Sequence, residues 1–494
     1  MRPAAWAPLG VVLLSSTSAQ AAGFYVTDLG ARALAVGGAF VAAPDGLTAL
    51  HYNPAGLAGQ PGFRAELDVA LFASNFQLQR RCPCVFPERI TDQDPTALDQ
   101  ALEAGFGPAE SRGLQPIPFL AASYGFPWLD LTIALGAYGP HGAGYDWGER
   151  SYEAALDQAQ RYSLISAESL EANYQLGVAF QPLPGLRIGA SFLLYQVKSE
   201  QFLHIYANTV LTPFAENVST LIALEGQAFD IPVALSFEAW APNWSVGASY
   251  TLPLGFTVGA SFRGPRSVDT VGRLNAEVPT ILSDAGIGVA NGGGPVRVNF
   301  SLPAIARVGL QYSVPELLSV EAAVVWEGWS AHRRVQLYAD DVRLTVGNEP
   351  PSSLGLLELD RSWRNTASLR LGARTSWLEP WLSLAAGYFY EPSAVPRQRL
   401  SGSAIDLDKH GLSLGLGTTI SGLRLELSLA HVLYQDVTVE DSEVVLPNAL
   451  SNRDDNHPDA FGTDRYQTRI GNGDYRASAT VVSLGVSFAL DGFR

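Results

Sequence analysis

Charge is scarce in this chain. Only 16% of its 494 residues are Asp, Glu, Lys or Arg, against roughly 25% in a soluble domain. Long apolar runs are scarce too: past the N-terminus no stretch reaches the about 20 residues that a membrane helix needs. Yet hydrophobic residues make up 47% of the chain. Little charge and no membrane helix have one common membrane solution. Alternating strands hide their apolar half in every second residue, and only a closed barrel satisfies the backbone in lipid. A large soluble β-protein is the other reading that composition leaves open. Cysteine is nearly absent, limited to Cys82 and Cys84 in a Cys-Pro-Cys step. Two thiols are too few for a structural zinc site, and their spacing is not the two-residue spacing of thioredoxin-like motifs. In an oxidising compartment they are candidates for a tight loop disulfide. Basic residues are outnumbered, giving a net charge of −16, which speaks against nucleic acid as a partner. The acid collects in stretches that read as loops, such as 91–99 and 454–464.

The N-terminus reads as an export signal. Arg2 supplies a minimal positive start, residues 9–14 an apolar core, and Ala19-Gln20-Ala21 a small-x-small cleavage pattern. Residues 1–21 are the expected signal peptide. Residues 22–62 follow, rich in Gly and Ala and with little period-2 alternation, and read as a compact plug. From 63 to 494 alternating segments recur. In 186–198, Ile188, Ala190, Phe192 and Leu194 share one parity and Arg187, Gly189 and Ser191 the other. A strand points these sets to opposite faces: the first suits lipid, the second a polar or crowded lumen.

About fourteen such runs are expected, at 63–78, 118–126, 131–139, 169–181, 186–198, 229–250, 254–263, 296–313, 318–329, 367–377, 381–390, 411–420, 423–434 and 477–488. The run 229–250 holds Pro232 and Pro242 and is expected to bend or to split. Short connections such as 181–185 alternate with long ones at 91–113, 201–228, 265–295 and 439–475. That is the pattern of a bacterial barrel with its long loops outside the cell. Trp128, Trp326, Trp329, Trp377, Trp381, Tyr388 and Tyr390 lie near strand ends, as aromatic girdles do. The expected fold is therefore all-β, a transmembrane antiparallel barrel of about fourteen strands with an N-terminal plug in its lumen. No short repeat points to a solenoid or propeller.

Several residues are candidates for function. Asn53-Pro54-Ala55-Gly56 combines a fixed φ, a tight turn and a self-capping Asn. It is either a structural turn or a plug element that responds to ligand. By parity Arg187, Arg307, Arg370 and Arg374 face the lumen. One could hold a carboxylate in an apolar pocket, while pairing with lumen acids is the plainer role. The stretch 201–228, with Phe202 and Phe214, is apolar for a loop and suggests a ligand groove or a small core of its own. Gly411-Leu-Ser413-Leu-Gly415 has the spelling of a nucleophile elbow, but it sits in a run that keeps alternating and so reads as plain strand. Asp454, Asp455, His457 and Asp459 match no calcium-loop spacing and read as a solvated loop. No metal and no cofactor is expected.

Dispersed motifs carry a family resemblance. Ala22-Gly23-Phe24, Ala39-Phe40-Val41-Ala42 and Asn53-Pro54-Ala55-Gly56-Leu57 resemble the opening of the FadL-type outer-membrane transporters. Leu302-Pro303 with Val308-Gly309-Leu310 and Trp329-Ser330, Arg370-Leu371-Gly372, the run 387–396 and Ser261-Phe262-Arg263 are similar to later stretches of that family, in the same order. Glu391 and Ala394 depart from it at single positions. The resemblance implies a fourteen-stranded barrel closed by a plug and passive uptake of hydrophobic compounds. Ligand would land among the outer loops, move to a lumenal pocket and leave sideways through the wall, below the lipopolysaccharide leaflet. It implies long-chain fatty acids foremost as ligands, with aromatic hydrocarbons as the alternative. It places Ala22, Gly23 and Phe24 inside the barrel, Phe24 against ligand. It further implies an outer-membrane location, action as a monomer, and recognition by the barrel-assembly machinery, which reads a terminal aromatic; here Phe493 is followed by Arg494. A general porin and an outer-membrane lipase are the competing classes.

Overall fold

The computed structural model describes residues 28–81, 108–139, 146–147, 162–206, 230–284, 286–348, 350–375, 377–444 and 470–490. The signal segment, Ala22–Phe24, Cys82, Cys84, Phe214 and the acidic cluster at 454–459 lie outside these residues.

The strands in chain order are β1 Gly62–Arg80, β2 Ala109–Phe126, β3 Leu131–Tyr138, β4 Ser166–Leu183, β5 Leu186–Tyr206, β6 Asp230–Thr251 and β7 Phe256–Arg263. There follow β8 Arg266–Ala276, β9 Ile287–Val289, β10 Gly293–Leu302, β11 Ile305–Val314, β12 Leu318–Glu327, β13 Arg334–Val346 and β14 Ser352–Asp360. The last are β15 Thr366–Thr375, β16 Ser383–Glu391, β17 Lys409–Ile420, β18 Leu423–Tyr434, β19 Val437–Val439 and β20 Gly473–Leu490.

Fourteen of them close a ring through antiparallel pairs, β1-β2-β3-β4-β5-β6-β7-β11-β12-β15-β16-β17-β18-β20. β20 returns to β1 with register from Phe63↔Leu490 to Arg80↔Gly473. Closure leaves no sheet edge in lipid. Six turns at one end span two to seven residues each, the longest being 376–382. Long connections occupy the other end. In bacterial barrels the short-turn end faces the periplasm.

The outer face of the ring is apolar: Leu67, Val69 and Leu71 on β1 and Leu412, Leu414 and Leu416 on β17 are exposed at period two. Exposed aromatics ring this band, Tyr124, Trp128, Tyr250 and Tyr312 toward the short turns and Tyr174, Trp240 and Trp326 toward the long loops. These are the positions of interfacial belts.

Above the upper belt the pattern inverts. On β6 the even residues Trp240, Trp244, Val246 and Tyr250 are exposed outward, whereas farther up the odd residues Ile231, Val233, Leu235 and Phe237 are buried inward. β5 does the same, with Phe192 exposed below and Tyr195 and Val197 buried above. A strand that leaves lipid for water must move its apolar side from the outer to the inner face.

Four strands also break at one level: β7/β8 at Gly264-Pro265, β10/β11 at Pro303-Ala304, β12/β13 at 328–333 and β14/β15 at 361–365. The upper pieces re-pair as β6-β8-β10-β13-β14. The run expected at 296–313 is thus two strands, because Pro303 has no ladder donor. The stretch 265–295 is not a loop but contains β8, a short helix Thr280–Asp284, β9 and the start of β10. Conversely, β6 neither splits nor loses pairing: Pro232 and Pro242 face His204 and Leu194 within an unbroken register to β5. Residues 201–206 extend β5 rather than opening a loop.

The N-terminal segment 28–61 lies inside the ring. It forms α1 Ala31–Ala35, α2 Ala49–Tyr52 and a 3-10 turn Pro54–Leu57, almost all of it buried. The wall makes room with glycine. At Gly136, Gly177, Gly189, Gly247, Gly259, Gly372, Gly387 and Gly415, one on each of eight strands, a Cβ would come under 3.0 Å from this segment, and Gly309 and Gly485 face it beside the carboxyl oxygens of Glu321 and Asp68. Only glycine lets two backbones approach in this way.

Candidate functional site: an enclosed N-terminal segment and an apolar chamber

Polar groups on many strands hold the N-terminal segment. Three wall carboxylates accept from its backbone: Asp68 from Ala31 N at 2.9 Å, Glu66 from Leu47 N at 2.5 Å, and Glu321 from Val41 N and Ala42 N at 2.6 and 2.9 Å. From the other strands Gln175 donates to Leu50 O at 2.7 Å, Ser261 to Tyr52 O at 2.6 Å and Arg263 to His51 O at 3.0 Å. Arg32 of α1 reaches back to Glu426 at 2.8 Å and to Asp45 at 2.9 Å.

Asn53 is fully buried at the centre of this seat. Its side-chain oxygen accepts from Ala55 N at 3.1 Å and caps the Pro54–Leu57 turn. Its amide donates to Val41 O at 2.8 Å within the segment and to Ala248 O of β6 at 3.2 Å. Pro54 and Ala55 lie against Gly189, and Gly56 against Pro44 and Ala49. The motif thus ties two parts of the segment to each other and to the wall.

The four candidate arginines all face inward, and all four meet the N-terminal segment. Arg370 donates to Asp28 at 2.8 Å and to Glu391 at 3.0 Å. Arg374 lies 3.4 Å from Asp45. Arg307 stands over the Tyr52 ring at 5.9 Å, and Arg187 lies beside Gly59. Burial pushes the Asp28 carboxyl above the ordinary aspartate range, against the pull of Arg370. Burial works against ionisation of Asp45 too, but Arg32 and Arg374 hold it below that range.

Among the described residues one cavity lies in the upper wall and another against the N-terminal segment. The upper one, about 130 Å³, lies between β4–β6 and the re-paired strands β8, β10, β13 and β14. Fourteen of its twenty lining residues are apolar, among them Val233, Phe237, Leu274, Val298, Phe300 and Leu337. Phe237 and Phe300 meet edge to face at 6.2 Å. His332 and Arg361 line it at the strand breaks, its membrane-side end. The lower cavity, about 240 Å³, is polar and is bounded by Asp45, Arg374, Glu321, Gln311, Ser313 and Ser319. Arg187, Arg307 and Arg370 border neither cavity, and Arg374 only the lower one. Phe202 is half-exposed beside His204, while its neighbours Gln201 and Leu203 line the chamber. The chamber residues of β8, β13 and β14 escaped sequence reading. Their signal is alternation at 266–276 and 334–346, with charged residues on the outer face.

The model of one protein family, described as outer membrane protein transport protein (OMPP1/FadL/TodX), matches residues 12–489. The chain belongs to this family. A member of the FadL/TodX family is an outer-membrane transport protein and not an enzyme, and Ser413 accordingly sits mid-strand in β17, donating to Ala35 O at 3.2 Å. Among solved structures, a Pseudomonas aeruginosa FadL homologue superposes with a TM-score of 0.70 at 15% identity, over 95% of this chain and 100% of its own. The P. putida toluene transporter TodX gives 0.64 at 17% identity over 95% and 100%. The Ralstonia pickettii toluene transporter TbuX gives 0.61 at 15% over 94% and 99%. At these identities the likeness shows the fold. No curated protein sequence matches.

Proposed function

We propose that this protein admits compact, uncharged hydrophobic compounds, of the size of monoaromatic hydrocarbons, through the outer membrane, and that the upper chamber is where they are captured. The observation that carries this is the chamber itself, an inward-facing apolar lining in strands that stand above the lipid belt. Such a concave apolar site with few polar groups is the usual form of a small-molecule pocket. The arginines that would neutralise a carboxylate are engaged with the N-terminal segment instead. From Asp28 onward that segment is bonded to the wall at many points. The polar lower cavity is a poor exit for an apolar compound, which favours departure sideways through the wall.

One observation favours long-chain fatty acids as a second reading: Arg361 and His332 border the membrane-side end of the chamber, where a carboxylate would meet them. Equilibrium binding of radiolabelled toluene to the purified protein, with oleate as competitor, separates the readings. Saturable toluene binding that Phe300→Asp weakens roughly tenfold or more is the expected result. Oleate binding without toluene binding, lost in Arg361→Leu, would replace the first reading by the second. Toluene binding indifferent to Phe300→Asp would remove the chamber from the account.

A further inference from the structure

The short-turn end carries an apolar fringe. Each of its six turns presents a large apolar side chain at or beside the tip: Trp128, Leu183, Leu254, Leu317, Trp381 and Ile420. Leu254 is 87% exposed and Trp381 81%. Water-facing turn tips ordinarily carry small or polar residues, and apolar residues at every turn around a ring form a continuous surface rather than scattered exceptions. The fringe also continues an established interface. Along β6 and its turn, exposed apolar residues run from Val246 through Tyr250 and Leu252 to Leu254 without a polar interruption on that face.

We infer that the periplasmic turns are sunk in the inner phospholipid leaflet and bind its interfacial region, so that the turn tips, and not the Tyr250–Tyr312 belt, mark the lower edge of the lipid contact. The occupant follows from continuity: the surface that meets the fringe is the one that covers the wall above it. Trp at the ends and Leu between suit the boundary between acyl chains and head groups. Asp130, Glu316 and Glu379 in the same turns supply the polar side that faces outward to the head groups and water. The fringe sets the depth of the barrel.

The test is a depth measurement on the full-length protein in phospholipid vesicles. In a background with Cys82→Ser and Cys84→Ser, nitroxide labels are placed singly by Leu254→Cys, Leu317→Cys and Ile420→Cys. Leu484→Cys on the lipid-facing wall and Arg273→Cys on the upper outer face serve as references. Collision with oxygen, which partitions into lipid, is compared with collision with a water-soluble nickel chelate. Folding of each variant is checked by its heat-modifiable migration on gels, and the three turn positions give independent readings. The inference expects at least two turn labels to favour oxygen over nickel, at depths between the two references. Turn labels as open to nickel as the one at 273 would overturn it.

Discussion

Asn53 shows how one side chain organises the N-terminal segment. It makes three hydrogen bonds and is wholly enclosed, so its loss removes the partner of Val41 O and of Ala55 N, while Ala248 O keeps its place in the β6 ladder. Each orphaned buried group costs about 1–3 kcal/mol, partly recovered by relaxation. Asn53→Ala should therefore lower the stability of the folded barrel by about 2–3 kcal/mol, read as an earlier urea midpoint of the folded band on gels. An unchanged midpoint would mean that the motif is dispensable to the seat. The arginines teach a related lesson at this scale. Their inward direction was legible from parity, but their partners were not. Arg370 and Asp28 are separated by 342 residues, and nothing local in either stretch announces the pair. Likewise one step of register decides that Leu203, and not Phe202, meets the chamber.

At the scale of elements, the strands of the barrel were legible because lipid demands apolar residues at every second position. Starts and ends were less so, since β2 and β5 continue upward into 109–117 and 199–206, where Glu110, Ser111, Arg112, Ser199 and Glu200 interrupt the apolar alternation. The same inversion hid β8, β13 and β14: Asp269 and Arg273 on β8, and the Arg334–Glu358 pair across β13 and β14, look like loop composition when lipid is taken as the only environment. The glycine belt was spelled out in the sequence, at lumen parity on ten strands, but its meaning depends on a segment that packs against it from elsewhere in the chain. The belt makes a direct prediction. Gly247→Val or Gly387→Val puts a branched side chain where Asn53 or the Val36-Gly37 backbone now sits, so the segment must shift or leave. Planar-bilayer recordings should then show stepwise open currents absent from the wild-type protein, whereas Ala322→Val, on the exposed outer side of β12, should stay as quiet as wild type. Silent Gly247→Val and Gly387→Val barrels that still insert would show that the seat tolerates the extra volume.

For the whole molecule, a single chain meets three environments in series. Lipid selects the apolar outer band, water above it turns the apolar residues inward and so creates the chamber, and the enclosed N-terminal segment lines the polar cavity below. A general porin needs neither an apolar chamber nor a lumen filled by its own N-terminal segment. The central claim is that the chamber is the first station of the transport path. It is tested most directly by the initial rate of radiolabelled toluene uptake into cells whose outer membrane holds equal amounts of the wild-type protein or of Phe300→Asp. The account predicts that the substitution drops the rate toward that of cells lacking the protein; equal rates in the two strains would contradict it.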